Sequence, residues 1–262
     1  MAEAAVDTAP ATTEVVMTEE QRFLFDLQGY VVVPDALSVD QLRVLNTILD
    51  EHIAEKASDE RTHRFGGLLD WGEPYRSLID NPRVRPHVEQ IVGQRFRLDH
   101  LFLDVCGEGK GPIGTTLHGS SPNFDPAQYY RFDKGRMHNG LTVVAYNLHD
   151  VNPGDGGTGV IPGSHKSNFH FPNEWRDLEE AHPRVDHLTG PAGTAVIFTE
   201  ALLHGTLPWR GVGQRRTAFY KFSPHAVSWS AGQFNAEDYE GLTERETDIL
   251  EGPNARYGGR RR

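Results

Sequence analysis

The chain has 262 residues, 37% of them hydrophobic and 24% charged, which is ordinary usage for one generous globular domain. A formal net charge of −11 opposes binding to nucleic acid, and no apolar run reaches the about 18 residues that would predict a membrane span. A single cysteine, Cys106, excludes an internal disulfide, and with no signal-type start the chain is expected to be cytoplasmic.

Residues 1–20, rich in Ala, Thr and Glu, read as a disordered lead. A short helical turn follows and ends near Gly29. Tyr30-Val31-Val32-Val33 then has strand character, and Pro34 stops it. Ser38 is placed as an N-cap, with Gln41 three residues on to complete a capping box. Leu42, Leu45, Ile48 and Leu49 follow at helical spacing, so an amphipathic helix of about 15 residues is expected. A second helix is expected over 82–93, with Val84, Val88, Ile91 and Val92 as its apolar side.

From Phe96 the pattern changes. Short β-type runs at 96–106, 141–148, 158–161, 193–199 and 215–222 alternate with Gly, Pro and Asn turns, the pattern of a sandwich or barrel. Cys106 ends the first run and reads as a buried structural thiol. Between the first two runs lies a long polar insert, 119–140. Its Phe124, Tyr129, Tyr130 and Arg131 suggest a lid or binding loop. A second loop covers the acidic stretch 172–190. The domain is set at 21–230, and 231–262 is expected to be a weakly structured segment and tail ending in Arg260-Arg261-Arg262.

The chain has 13 histidines, so position must select among them. His118 stands at a strand-to-loop junction before Gly119. His204 follows the strand-like run 195–200 and precedes Gly205. A ligand at a strand end with a glycine behind it can face a cavity with little crowding. His87 and Glu89 form a literal His-x-Glu, but on a helix residues two apart point in different directions. His138 reads as cavity-lining and His165 as a residue that orders a turn.

Two stretches carry a resemblance. Phe25 to Leu37, with Gly29-Tyr30 and Pro34 inside it and a capped helix after it, is one. The other is 152–166, ending in Ile161-Pro162-Gly163-Ser164-His165-Lys166. Together they resemble the phytanoyl-CoA dioxygenase (PhyH) family of Fe(II)/2-oxoglutarate-dependent oxygenases, and the resemblance covers roughly 21–225. It implies a mainly β fold with flanking helices, the double-stranded β-helix or jelly roll. It also implies Fe(II), 2-oxoglutarate as co-substrate, dioxygen and a small-molecule substrate. Nothing in the sequence calls for nucleic acid, a membrane or a particular oligomer. His118 and His204 match the family's metal-binding histidines. Arg215, eleven residues after His204, matches the arginine that holds 2-oxoglutarate. Thr206 matches a hydroxyl beside the same carboxylate, and Tyr146 an aromatic near the co-substrate. Arg216, next to Arg215 on a strand, should face the other way. The implied reaction decarboxylates 2-oxoglutarate oxidatively to succinate and hydroxylates an unactivated C–H bond.

One position departs from the family. Its first histidine belongs to His-x-Asp or His-x-Glu, whereas here the motif is His118-Gly119-Ser120. Three explanations stand. Glu200, four residues before His204, supplies the carboxylate, with Asp125 and Asp133 as weaker candidates. Alternatively the position is vacant, as in the related halogenases. In the third case the chain is a non-catalytic binding jelly roll.

Overall fold

The computed structural model of the chain describes residues 17–56, 62–107, 116–119 and 123–253. Ser120 and Arg260 to Arg262 lie outside them.

Helix α1 (Glu19–Gln28) starts at a Thr18–Gln21 capping box and ends at Gly29, whose φ of 86° closes the turn. A side chain at Gly29 would press on His165 and Leu202. Strand β1 (Tyr30–Val33) follows, then α2 (Val39–Ala54), capped by Ser38 and Gln41 as expected. The next elements are β2 (Thr62–Phe65), α3 (Glu73–Arg76) and α4 (Arg85–Ile91). The β core opens with β3 (Phe96–Cys106). A hairpin of β4 (Tyr130–Asp133) and β5 (Arg136–Asn139) precedes β6 (Thr142–Asn147) and β7 (Gly157–Val160). Short β8 (Asp186–His187), β9 (Ala195–Thr199), β10 (His204–Leu207) and β11 (Arg215–Pro224) complete the strands, and α5 (Glu244–Ile249) comes last.

Six strands form one sheet in the order β1-β9-β6-β11-β3-β2, and a smaller sheet runs β10-β7-β8. Single-residue antiparallel bridges attach Thr116 to Asp177 and His118 to His204. The large sheet separates two apolar layers, because successive side chains point to opposite faces. Val144, Tyr146, Ala195, Ile197, Ala218 and Tyr220 face the helices and join the main core. Val143, Ala145, Val196, Phe198 and Phe219 face the small sheet. That inner space is where a site can form.

Both domain boundaries move outward. At the N-terminal side, Met17 is buried and Thr18 already caps α1, so the fold begins before residue 21. At the other end Ile249 and Leu250 join the main core, and buried Arg97 donates Nε–H to the Glu251 carbonyl. Residues 244–251 therefore belong to the domain, not to a tail. The insert also differs from its expected role as a lid. Tyr130 donates its hydroxyl proton to Asp26 of α1, and Phe124, Tyr129 and Arg131 border a different cavity, of about 590 Å³. The Tyr130–Asp26 hydrogen bond and the packing of Tyr130 and Met137 on the main core tie this hairpin to the helical side of the large sheet.

Candidate metal centre and its cavity

His118 and His204 are joined through their backbones. Each N–H donates to the other's carbonyl at 2.9 Å, so the two side chains lie side by side, ring centroids 4.1 Å apart. Nδ1–H of His118 donates to the Thr116 carbonyl at 3.0 Å, and Nδ1–H of His204 to the Leu202 carbonyl at 2.7 Å. A carbonyl can only accept, so both rings carry the proton on Nδ1 and present the lone pair of Nε2. Hydrogen bonding of this kind is what orients metal-ligating histidines.

Glu200 joins them. After β9 the chain turns at Thr199 to Leu202, and the side chain comes back toward β10. Oε2 of Glu200 is 3.5 Å from Nε2 of His204. One ligand atom from each of His118, Glu200 and His204 lies within 4.8 Å of the others. Gly119 allows this closeness: with φ of 92°, a Cβ there would sit 2.4 Å from the Leu202 carbonyl oxygen and 2.9 Å from that of Glu200.

Charge is arranged around the cluster. Burial lowers the pKa of His204 to about 4, so its ring is neutral at pH 7 and free to bind a cation. Burial pushes the Glu200 carboxyl up, but attraction to His204 and Lys221 outweighs it and brings the value down to about 2. Since His204 is neutral at pH 7, Lys221 is the cation that keeps Glu200 ionised there. The Lys221 ammonium donates to Oε1 of Glu200; the Glu200 side chain is buried and that of Lys221 is 13% exposed. The sequence reading did not single out Lys221.

The cavity beside the cluster measures about 430 Å³. Each element lends alternate residues to it. β3 gives His100, Phe102 and Asp104; β11 gives Phe219 and Lys221; β9 gives Phe198; β7 and β10 give Thr158 and Thr206. Phe102 stacks on Phe219 at 4.9 Å, and His100 stacks on Trp229 at the rim at 4.9 Å. Arg64 on β2 grips Asp104 through two hydrogen bonds of 2.7 Å.

Arg215, 1% exposed, lies behind the wall of this space, against its lining residues Thr158 and Phe219. Its Nη2 donates to the Thr158 hydroxyl at 2.9 Å, and Thr158 is paired across the sheet with Thr206. The guanidinium carbon is 5.7 Å from the Phe219 ring centre. Nε and Nη1 have no partner among the described residues. Burial lowers the guanidinium's pKa, yet an arginine stays charged at any physiological pH. Two unused donors on a buried cation call for an anion. Gly157 leaves the room, since a Cβ there would come within 3.1 Å of Nε. Arg216 points to the helical side, where it meets Asn46 and Asp50 of α2.

Tyr146 does not join the site. It is paired with Ala218 and Ala195 on the helix-facing side, and its hydroxyl donates to the Leu78 carbonyl at 3.1 Å. The reason is the pleat, which sends Tyr146 to the face opposite Val143 and Ala145. His138 lies in the β4–β5 hairpin and is exposed; His165 is buried and its Nε2 is 3.1 Å from the Asp26 carbonyl oxygen, holding the turn. His87 is buried in α4, away from the cluster. Cys106 is buried at the end of β3, among Val151 and Trp209.

The donor set, the charged pocket end and the sheet order meet in one comparison. Residues 25–217 match the family described as Phytanoyl-CoA dioxygenase (PhyH). The chain belongs to the phytanoyl-CoA dioxygenase family. It is thus a member of a dioxygenase family, an oxidoreductase. A relative from Stutzerimonas stutzeri, described as a probable alpha-ketoglutarate-dependent hypophosphite dioxygenase, is 24% identical over 254 residues, covering 87% of this chain and 85% of that one. Among solved structures, HygX from Streptomyces hygroscopicus with nickel and 2-oxoglutarate bound has a TM-score of 0.75 at 21% identity, covering 87% of this chain and 95% of that one. The carbocyclase SnoK from nogalamycin biosynthesis has a TM-score of 0.59 at 16% identity, covering 80% and 85%. The two-sheet core is accordingly the jelly roll expected of the phytanoyl-CoA dioxygenase family. Among the described residues no helix is long and apolar enough to cross a membrane.

Proposed function

We propose that the chain is a non-haem Fe(II)- and 2-oxoglutarate-dependent oxygenase that hydroxylates an unactivated C–H bond of a small molecule. The observation that carries this is the His118–Glu200–His204 cluster at the edge of a cavity that His118 and His204 line, with the unpartnered nitrogens of Arg215 behind the Thr158 and Phe219 of its wall. Two imidazoles and one carboxylate with open positions suit ferrous iron. Bound there, iron with 2-oxoglutarate and dioxygen would supply the chemistry, one oxygen atom going to succinate as CO₂ leaves and the other to the C–H carbon of the substrate.

The chain's own residues do the rest. His118 and His204 offer Nε2 and Glu200 offers Oε2. Arg215 receives the far carboxylate of 2-oxoglutarate through Nε and Nη1, with the Thr206 hydroxyl beside it. Phe102, Phe198 and Phe219 exclude water and hold an apolar portion of the substrate, while Trp229 covers the rim. Hygromycin B bound in the HygX structure supports a small organic molecule as the class of substrate. Glu200 also favours hydroxylation over halogenation, because a carboxylate stands with the two histidines, whereas the halogenases leave that ligand position vacant.

The test is spectroscopic. Fe(II) and then 2-oxoglutarate are added to metal-free protein without oxygen. Chelated 2-oxoglutarate should give a visible charge-transfer band, and His118→Ala or His204→Ala should abolish it. A well-folded protein that gives no band does not chelate the co-substrate, and the proposal falls.

A further inference from the structure

We infer that Lys221 is a positioning residue for the third metal ligand: by holding Oε1 of Glu200, it leaves Oε2 as the single carboxylate atom offered to the ion. The inference rests on the oxygenase reading above.

Lys221 is fixed by the sheet. On β11 it is paired with Val143 of β6, which is paired in turn with Phe198 of β9, so the three form one row across the inner face. Glu200 follows Phe198 by two residues and reaches back over this row. The ammonium lies 5.3 Å from the Phe102 ring centre. With an aromatic face on one side and a carboxylate on the other, its charge is directed at Oε1 of Glu200.

The need arises from where Glu200 sits. It comes from a turn, and its side chain has three torsions. A loose carboxylate can bind a metal through both oxygens and so take one position more. Two histidines and one oxygen leave three positions, two for 2-oxoglutarate and one for dioxygen. A second carboxylate oxygen would remove one of them. Tying Oε1 to an ammonium prevents that and aims Oε2 at Nε2 of His204 and His118. The ammonium also repels the ion, but the Glu200 carboxylate stands between the two charges. Loss of an outer partner of a ligand weakens metal binding about 10–100-fold, so positioning should outweigh repulsion.

The experiment measures Ni(II) and anaerobic Fe(II) affinity by competition with a coloured chelator, in the full chain, with circular dichroism to check folding. Lys221→Met should weaken both metals about 10–100-fold. Lys221→Arg, which keeps a charge and donors, should restore binding to within about threefold of the unaltered protein. In a Glu200→Ala background, Lys221→Met should change affinity by less than about threefold, since the coupled partner is gone. Unchanged or tighter binding in Lys221→Met overturns the inference, as does an equal loss with and without Glu200. If Lys221→Met does not fold, Lys221→Gln against Lys221→Arg reads the same contrast. Failure of the oxygenase reading shows separately, as no 2-oxoglutarate band in the unaltered protein.

Discussion

At the scale of single residues, Arg215 makes the sharpest demand on a ligand. A buried guanidinium with two idle donors is costly unless an anion completes it. Arg215→Lys keeps a positive charge and loses the fork. Hydrogen bonds between charged groups contribute about 1.5–3 kcal/mol, so 2-oxoglutarate should bind about 10–100-fold more weakly. Metal affinity should stay the same, because Arg215 touches none of the three ligands. Titrating the charge-transfer band with 2-oxoglutarate checks both statements, and unchanged co-substrate affinity would remove Arg215 from the site.

The same scale shows what the sequence could disclose. His118 and His204 were legible because each follows a strand-like run and precedes a glycine, although in the structure His204 opens β10 and His118 bridges to it. Glu200 was legible as a possibility, since only the turn at Thr199 to Leu202 decides where it points. Tyr146 was misplaced because β6 is apolar on both faces, so its alternation gives no parity. Lys221 was missed though a signal existed: it lies six positions after Arg215 on one strand, an even offset, and so shares its face.

At the scale of elements, the strands and capped helices followed from alternation, capping boxes and turns, whereas the ends did not. The amphipathic pattern of 244–250 is too short to announce a helix by itself; the Thr243–Glu246 capping box was the available signal, and packing under β3 places the helix in the domain. The joint between β9 and β10 is the element on which the metal centre depends. Gly119 lies against two of its carbonyls, at a φ that disfavours any side chain. Gly119→Ala should cost about 1–3 kcal/mol of stability and loosen the spacing of His118 and Glu200. Urea denaturation and chelator competition, run together, check this; a variant with unaltered stability and metal affinity would show that the joint yields.

At the scale of the whole molecule, buried histidines set the response to acid. Burial holds both His165 and His204 at about 4, against an ordinary value of 6.5. Between those values the unfolded chain binds more protons than the folded one, so stability falls as pH falls through that window. Glu200, held down to about 2, extends the loss below pH 4.5. His165 alone accounts for about 3 kcal/mol between pH 6.5 and 4. Denaturation midpoints at several pH values should show a shallower acid decline in His165→Gln than in the unaltered protein. Parallel declines would mean that His165 titrates normally in the fold.

The two-sided character of β11 has a consequence for how this chain tolerates changes of length. Arg215, Thr217, Phe219 and Lys221 form the inner series; Arg216, Ala218, Tyr220 and Phe222 form the outer one. An added or deleted codon between 216 and 220 exchanges the two series on one side of the lesion, so Arg215 and the lysine at Glu200 can no longer share a face. The same lesion in the turn at 211–213 leaves the pairing intact. Within β11, the reading frame of the pleat therefore constrains length more tightly than any one side chain constrains identity.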